Sequence, residues 1–125
     1  MGLYIRGSVN RSAKIDNLKV DGKEGWEIYD ALDEKLCDLA KKYNVHVDRE
    51  NVDDYETAFV IHNHRPNSVH LFSGSHFEND LGIKDDCEFE QRSSDFIAAM
   101  RSDEAFSPFH NLEFGDVKKC YFTFS

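Results

Sequence analysis

The order of predicted elements indicates an α+β fold, with two helices on one face of an antiparallel sheet of four to five strands. Three observations lead to this prediction. An apolar stripe recurs at helical spacing between residues 26 and 43, two β-rich segments flank Pro66 and Asn67, and residues 117–124 alternate between the two faces of a strand. One core suffices for a chain of this length, so residues 1–125 are predicted to form a single domain.

The first strand is predicted at residues 2–9, where apolar side chains such as Leu3 and Ile5 occupy alternating positions. Residues 10–22 are polar and basic, with three isolated apolar residues among them. This second segment is predicted to be either a long loop or a short strand at an edge of the sheet, and its pattern does not choose between them.

The clearest helical signal follows. Its apolar stripe consists of Trp26, Tyr29, Leu32, Leu36, Leu39 and Tyr43, and its spacing predicts a helix of about five turns that packs on the core. Glu24 and Glu27 suit the positive amino end, and Asn44 can take the left-handed conformation that ends a helix. All six members of the stripe are therefore predicted to be core residues.

Residues 45–56 are predicted to form a short strand and then an acidic loop. The strongest hairpin signal comes next, because the β-rich segments 57–64 and 68–72 enclose the turn formers Pro66 and Asn67. The first of these segments is apolar on both faces at its centre, which predicts a strand inside the sheet with at least partial cover on its second side.

Residues 73–92 are predicted to be an irregular excursion, after which Ser93 or Ser94 caps a short helix that ends at Arg101. Strand, helix, hairpin, helix and strand in this order is the connectivity of a ferredoxin-like domain (β-α-β-β-α-β) with irregular insertions. A more irregular α+β domain is the alternative, because the excursion and the early polar segment are longer than this fold usually allows.

The charge of the chain is unevenly distributed. The formal net charge is -9, yet residues 1–23 hold five basic residues against two acidic ones, so the rest of the chain carries -12. A field of that sign repels phosphate backbones and attracts basic surfaces. We therefore expect a basic protein partner and no direct binding of nucleic acid.

Three widely spaced cysteines, Cys37, Cys87 and Cys120, form no C-x-x-C pair. Reduced thiols in a cytoplasmic setting fit this spacing better than a disulfide scaffold or a zinc ribbon. The amino-terminal sequence has no long apolar stretch of a secretory signal, and no apolar run is long enough to span a bilayer. We expect a soluble cytoplasmic protein with no membrane partner and no cofactor.

Two acidic clusters interleaved with aromatic residues are the candidate partner-binding site. Neither has the ligand spacing of a calcium loop. Acids around aromatic anchors suit a surface that docks on a basic partner, although each cluster alone also fits a solvated face. The candidate residues are Asp48, Glu50, Asp53, Asp54, Tyr55, Glu56, Phe77, Glu78, Asp80, Asp85, Asp86, Glu88, Phe89 and Glu90.

Three histidines support a rival prediction, a metal-dependent enzyme. His62 and His64 point to one face of a strand, and a three-residue turn would place His70 directly across from His62. The pair resembles the His-hydrophobic-His element of single-strand endonucleases on ferredoxin-like sheets, but Asn63 occupies the hydrophobic position and no helical tyrosine nucleophile is identifiable. The sequence offers these imidazoles no nearby carboxylate to fix their tautomer.

The function expected first is a small cytoplasmic inhibitor, not an enzyme, that occupies the basic surface of a nucleic-acid-processing enzyme. In size, charge and class it is similar to anti-CRISPR proteins and nuclease-toxin immunity proteins, without a shared motif. The rivals are the metal-dependent enzyme, for example a nuclease, and a structural module of a larger complex.

Overall fold

A computed structural model describes residues 4–51, 56–63, 68–70 and 88–124. It is a small α+β domain. The strands are β1 (Tyr4–Lys14), β2 (Lys19–Val20), β3 (Lys23–Glu24), β4 (His46–Asn51), β5 (Thr57–His62), β6 (Ser68–His70) and β7 (Lys118–Phe124), and the helices are α1 (Gly25–Lys42), α2 (Phe89–Ser102) and a 3₁₀ segment, Glu104–Phe109. None of these helices is long and apolar enough to cross a membrane.

β1 is the centre of an antiparallel sheet. β4 pairs with β5, β5 and β6 pair with β1, and β7 pairs with β1 along its other edge. β2 and β3 form a separate two-stranded sheet. The early segment, residues 10–22, is thus neither of the two forms that its sequence predicted, because its first part continues β1 and its last part enters this small hairpin.

β5 and β6 do not form the predicted hairpin. Both run antiparallel to β1 along the same edge, with His62 opposite Asn10 and Ser68 opposite Arg6. The two segments therefore run in the same direction, one after the other, and the chain advances by six residues while β1 advances by four. A turn signal such as Pro66-Asn67 indicates a break in a strand but does not fix the direction in which the chain continues.

The long helix α1 is confirmed, with 18 residues and an end at Asn44, whose φ of 57° is left-handed. Its buried face includes Tyr29 and Leu36, as the stripe predicted. Trp26 was predicted to be core and is instead 44% exposed. It lies roughly a quarter turn from the centre of the buried stripe, which Ile28 shifts to the opposite side.

Phe59 is the centre of the core and joins both helices to the sheet. Its ring, which is fully buried, lies 5.1 Å from the ring of Tyr29 on α1 and 6.4 Å from that of Phe96 on α2. Phe109 and Phe114 pack edge-on against it at 5.5 and 5.3 Å. Because side chains from both helices contact the same ring on β5, α1 and α2 cover the same face of the sheet.

α2 begins four residues before the predicted cap, so Ser93 lies inside the helix and is fully buried. Arg11 of β1 explains this position. Its Nη1 donates to the hydroxyls of Ser93 and Ser94 at 3.3 and 3.2 Å, and its Nε donates to the carbonyl of Gly115 at 3.1 Å. The half-buried guanidinium at this helix-facing position of β1 is thereby hydrogen-bonded.

The second face of the sheet is partly covered. Ala58 and Val60 of β5 are buried although they alternate with Phe59 and Ile61, which face the helices. This confirms the prediction that the central run of β5 lies inside the sheet, covered on one side and at least partly on the other.

Candidate interaction surface

The predicted acidic residues that the structure describes lie in three parts of the fold. Asp48 and Glu50 are exposed on β4 instead of in a loop, and Glu56 precedes β5, where Lys14 binds it at 2.9 Å. Glu88 and Glu90 are exposed at the start of α2. Asp53, Asp54, Tyr55, Phe77, Glu78, Asp80, Asp85 and Asp86 lie outside the described residues.

Phe89 does not have the surface position that the sequence suggested for an aromatic anchor. It is fully buried as the first residue of α2 and belongs to the core. The helix extends further toward the amino end than predicted and turns this ring inward. Phe89 therefore contributes to folding, and we do not assign it to the interaction surface.

Two carboxylates distant in sequence, Asp33 of α1 and Asp48 of β4, act on the same two side chains. Burial and, after it, the charges of Asp33 and Asp48 raise the pKa of the Cys37 thiol above its ordinary value. Burial and the same two carboxylates, with a smaller effect of Asp30, raise the pKa of the Tyr29 hydroxyl. Asp33 lies on α1 and Asp48 on β4, so carboxylates of both elements contribute to these two shifts.

We define the α1–β4 acidic surface by the exposed carboxylates of these two elements. Its basic residues are fewer than its acids, and Arg49 is already paired with Asp30. The members of this surface are Asp30, Asp33, Glu34, Asp38, Asp48 and Glu50. The sequence prediction included only the last two, because an acidic helix face normally indicates no more than contact with solvent.

Trp26 lies beside this surface in an ordered setting. Its indole Nε1 donates to Glu24 Oε2 at 2.9 Å, and the guanidinium carbon of Arg49 lies 5.8 Å from the ring centroid. Arg49 is held in turn by both carboxylate oxygens of Asp30, at 2.9 and 3.3 Å. These contacts hold an exposed aromatic ring in a defined orientation beside the carboxylates.

The two described histidines of the metal hypothesis, His62 and His70, lie far apart. His62 lies opposite Asn10 and His70 lies opposite Tyr4, so six residues of β1, or about 20 Å, separate their backbone positions. The predicted convergence of His62 and His70 across a tight turn is therefore wrong. His64 lies outside the described residues.

The sequence prediction did not identify the imidazole that contacts His62 in the structure. His46 of β4 stacks on His62 with ring centroids 5.6 Å apart, and His62 Nε2 contacts Asp48 Oδ2 at 2.5 Å. Asp48 is the carboxylate that sequence inspection did not find for His62. Pairing residues 45–51 with 57–62 as a hairpin would have revealed both contacts, since it places His46 directly opposite His62.

An imidazole held by a carboxylate can exchange a proton or donate a hydrogen bond to a ligand. A metal site needs several ligand side chains directed at one point. Within the part of the chain that the structure describes, no group of three or more His, Cys, Asp or Glu side chains is arranged to hold a metal ion.

Slow alkylation of Cys37 would test the negative potential of this surface. The raised pKa keeps the thiol protonated at neutral pH, so we expect its reaction with iodoacetamide to be slower than that of an unstructured cysteine and to accelerate with pH into the alkaline range. Asp33→Asn should accelerate the reaction several-fold at pH 8, measured by mass spectrometry of the peptide that contains Cys37. Asp38→Asn is the matched control, and equal acceleration by both would contradict the assignment to Asp33.

Comparison with protein-family models, with curated proteins and with solved structures found no match to this chain.

Proposed function

We propose that the protein is a small acidic inhibitor that binds and blocks the basic surface of a nucleic-acid-processing enzyme. The observation that supports this most is the excess of exposed carboxylates on α1 and β4, the members of the α1–β4 acidic surface. A surface that carries phosphates in its working state is basic, and a surface of fixed carboxylates complements it.

In the proposed mechanism the inhibitor competes with the nucleic acid. Carboxylates of the α1–β4 acidic surface take the places of phosphates on the target, and long-range attraction accelerates the encounter. Binding is stoichiometric and requires no chemical step. The interaction should weaken as salt increases, because exposed charges are screened over about 8 Å at physiological ionic strength.

We also propose the ferredoxin-like arrangement for the domain. Its support is the sequence of neighbours β4, β5, β1 and β7, which are all antiparallel, with the two helices contacting one ring on β5. In this arrangement the α1–β4 acidic surface lies at one edge of the sheet, and the first helix borders it.

A capture experiment tests the proposed function. Tagged protein is incubated with lysate of the source cells at low and at high salt, and the captured enzyme is then purified and assayed for nucleic-acid binding with and without the inhibitor. We expect a basic nucleic-acid-processing enzyme to be captured at low salt and to lose substrate binding at an equimolar ratio. Asp33→Lys/Glu34→Lys/Glu50→Lys should greatly reduce capture.

The matched control reverses three exposed acids elsewhere, in the variant Glu104→Lys/Glu113→Lys/Asp116→Lys. Its formal charge equals that of the test variant, so general loss of negative charge affects both alike. Equal loss of binding in the two variants would remove the α1–β4 acidic surface from the proposal. A captured enzyme that still binds its nucleic acid in the presence of the protein would disprove inhibition.

A further inference from the structure

β4 lies at an edge of the sheet. Of the strands that the structure describes, only β5 pairs with it. A strand with one unpaired edge offers backbone donors and acceptors to any further strand that can reach them.

The hydrogen bonds of β5 determine which groups of β4 point outward. Ile15 N donates to Thr57 O at 2.9 Å and Asn63 N donates to Val9 O at 3.2 Å, so the odd-numbered residues of β5 bond to β1. The even-numbered residues of β5 must then bond to β4, where they lie opposite Asp48 and Glu50.

The backbone groups of Val47, Arg49 and Asn51 consequently point away from the sheet. Val47 is only 6% exposed, whereas Asp48, Arg49 and Glu50 are exposed residues, so the edge is accessible around Arg49. Arg49 and Asn51 each present one N–H donor and one C=O acceptor along it. Two such residues can hold a short additional strand.

The side chains beside this edge determine the charge of a suitable strand. Asp48 and Glu50 lie on one face, and Arg49 lies on the other, where it contacts Asp30 and Trp26. Residues that pair across two antiparallel strands share a face. An added strand therefore meets carboxylates on one face and the exposed indole on the other.

A second copy of this chain does not meet these requirements. When two β4 edges pair with their faces aligned, residues of equal parity lie opposite one another, so Asp48 or Glu50 meets Asp48 or Glu50 of the other copy. Like charges directly opposite each other destabilise a strand pair. The occupant must carry the opposite charge.

From these observations we propose that the edge Asp48–Asn51 is a docking site for an extended basic segment of the partner, added as an antiparallel strand. Its Lys or Arg side chains face Asp48 and Glu50, and the apolar residues between them hydrogen-bond to Arg49 and Asn51 and contact Trp26. Strand addition of this type takes affinity from the backbone and specificity from alternate side chains. The inference rests on the proposed function for the basic character of the partner.

Labelled peptides test the site directly. A nine-residue peptide that alternates Lys and Val is titrated with the full chain by fluorescence anisotropy, beside two N-methylated versions. Methylation of the Val amides removes the donors that face β4 and should weaken binding by about tenfold or more. Methylation of the Lys amides alters groups that point away and should change binding little. A Glu-Val peptide should not bind.

Variants of Arg49 provide the second arm of the test. Arg49→Pro removes an outward N–H and leaves the bonds to β5 in place, as proline is tolerated at a strand edge. Arg49→Ala removes the same side chain but keeps the N–H, so it controls for the lost contacts with Asp30 and Trp26. We expect peptide affinity to be clearly lower for Arg49→Pro than for Arg49→Ala, at equal circular dichroism.

Each contrary result has a defined meaning. If the Val-methylated peptide binds as tightly as the parent peptide, the contact is electrostatic only, and strand addition is disproved while the captured enzyme can still support the inhibitor. Failure of every cationic peptide together with failure of capture disproves both proposals. A concentration-dependent dimer that Arg49→Pro abolishes would show that a second copy occupies the edge and would overturn the inference.

Discussion

Phe59→Ala should lower the free energy of unfolding by about 3 to 5 kcal/mol. The side chain is fully buried, and its loss leaves a cavity bordered by Tyr29, Phe96, Phe109 and Phe114. Four ring contacts from separate parts of the chain cannot collapse onto the vacant space together, so the cost should lie near the upper end of this range. Urea denaturation followed by circular dichroism gives the measurement.

Val60→Ala is the matched control for that variant. Val60 is the next residue on β5 and is also buried, but it lies on the opposite face and is not part of the aromatic core. The smaller volume removed should cost about 2 kcal/mol or less. If the two variants unfold at the same urea concentration, Phe59 is not the centre of the core.

Gly25→Ala should be similarly disruptive and cost about 3 kcal/mol. A Cβ at position 25 would lie 1.8 Å from the carbonyl oxygen of Ile15, which is backbone and has no alternative rotamer. The first turn of α1 and the end of β1 must then separate, although both belong to the core. Thermal and urea unfolding would both report the loss.

Gly22→Ala distinguishes this contact from a general effect of glycine replacement. At Gly22 the backbone has φ of +79°, but nothing lies within 4 Å of an added Cβ. Its cost should be about 1 kcal/mol, from backbone conformation alone. A larger loss at Gly22 than at Gly25 would contradict the close approach of α1 to Ile15.

Periodic patterns predicted the elements that bury one face. The spacing of Tyr29 and Leu36 identified α1, and the short helix predicted to end at Arg101 is α2, which buries Phe96, Ile97 and Met100. These predictions succeeded because burial of a stripe depends only on local helical geometry. The antiparallel α+β class followed from the same patterns.

Contacts between residues distant in the chain could not be predicted from local sequence patterns. Arg11 interrupts the alternation of β1, and nothing local indicates that Ser93 and Ser94, more than eighty residues away, would pair with it. The predicted direction of β6 was wrong for a related reason. Proline and asparagine mark a break in the strand, whereas pairing with β1 decides where the chain goes next.

Only part of the α1–β4 acidic surface was predicted, because its other members depend on long-range packing. Asp48 and Glu50 belonged to a predicted acidic cluster, but the joint effect of Asp48 and Asp33 on Cys37 depends on the packing of α1 against β4. Trp26 was assigned to the core because its distance from Tyr29 suits a shared stripe. The position of the sheet determines which side of the helix remains exposed, and that side includes Trp26.

The position of β1 has a kinetic consequence. Asn10 pairs with Lys118 and Tyr4 with Phe124, so these partners lie 108 to 120 positions apart in the chain. During synthesis the earliest strand must wait for the last one, and until then one of its edges remains open to mispairing. Such contacts also carry a large loop-closure entropy, which slows the folding of a small domain. Assembly of the centre of the sheet is therefore a late event in the folding of this domain.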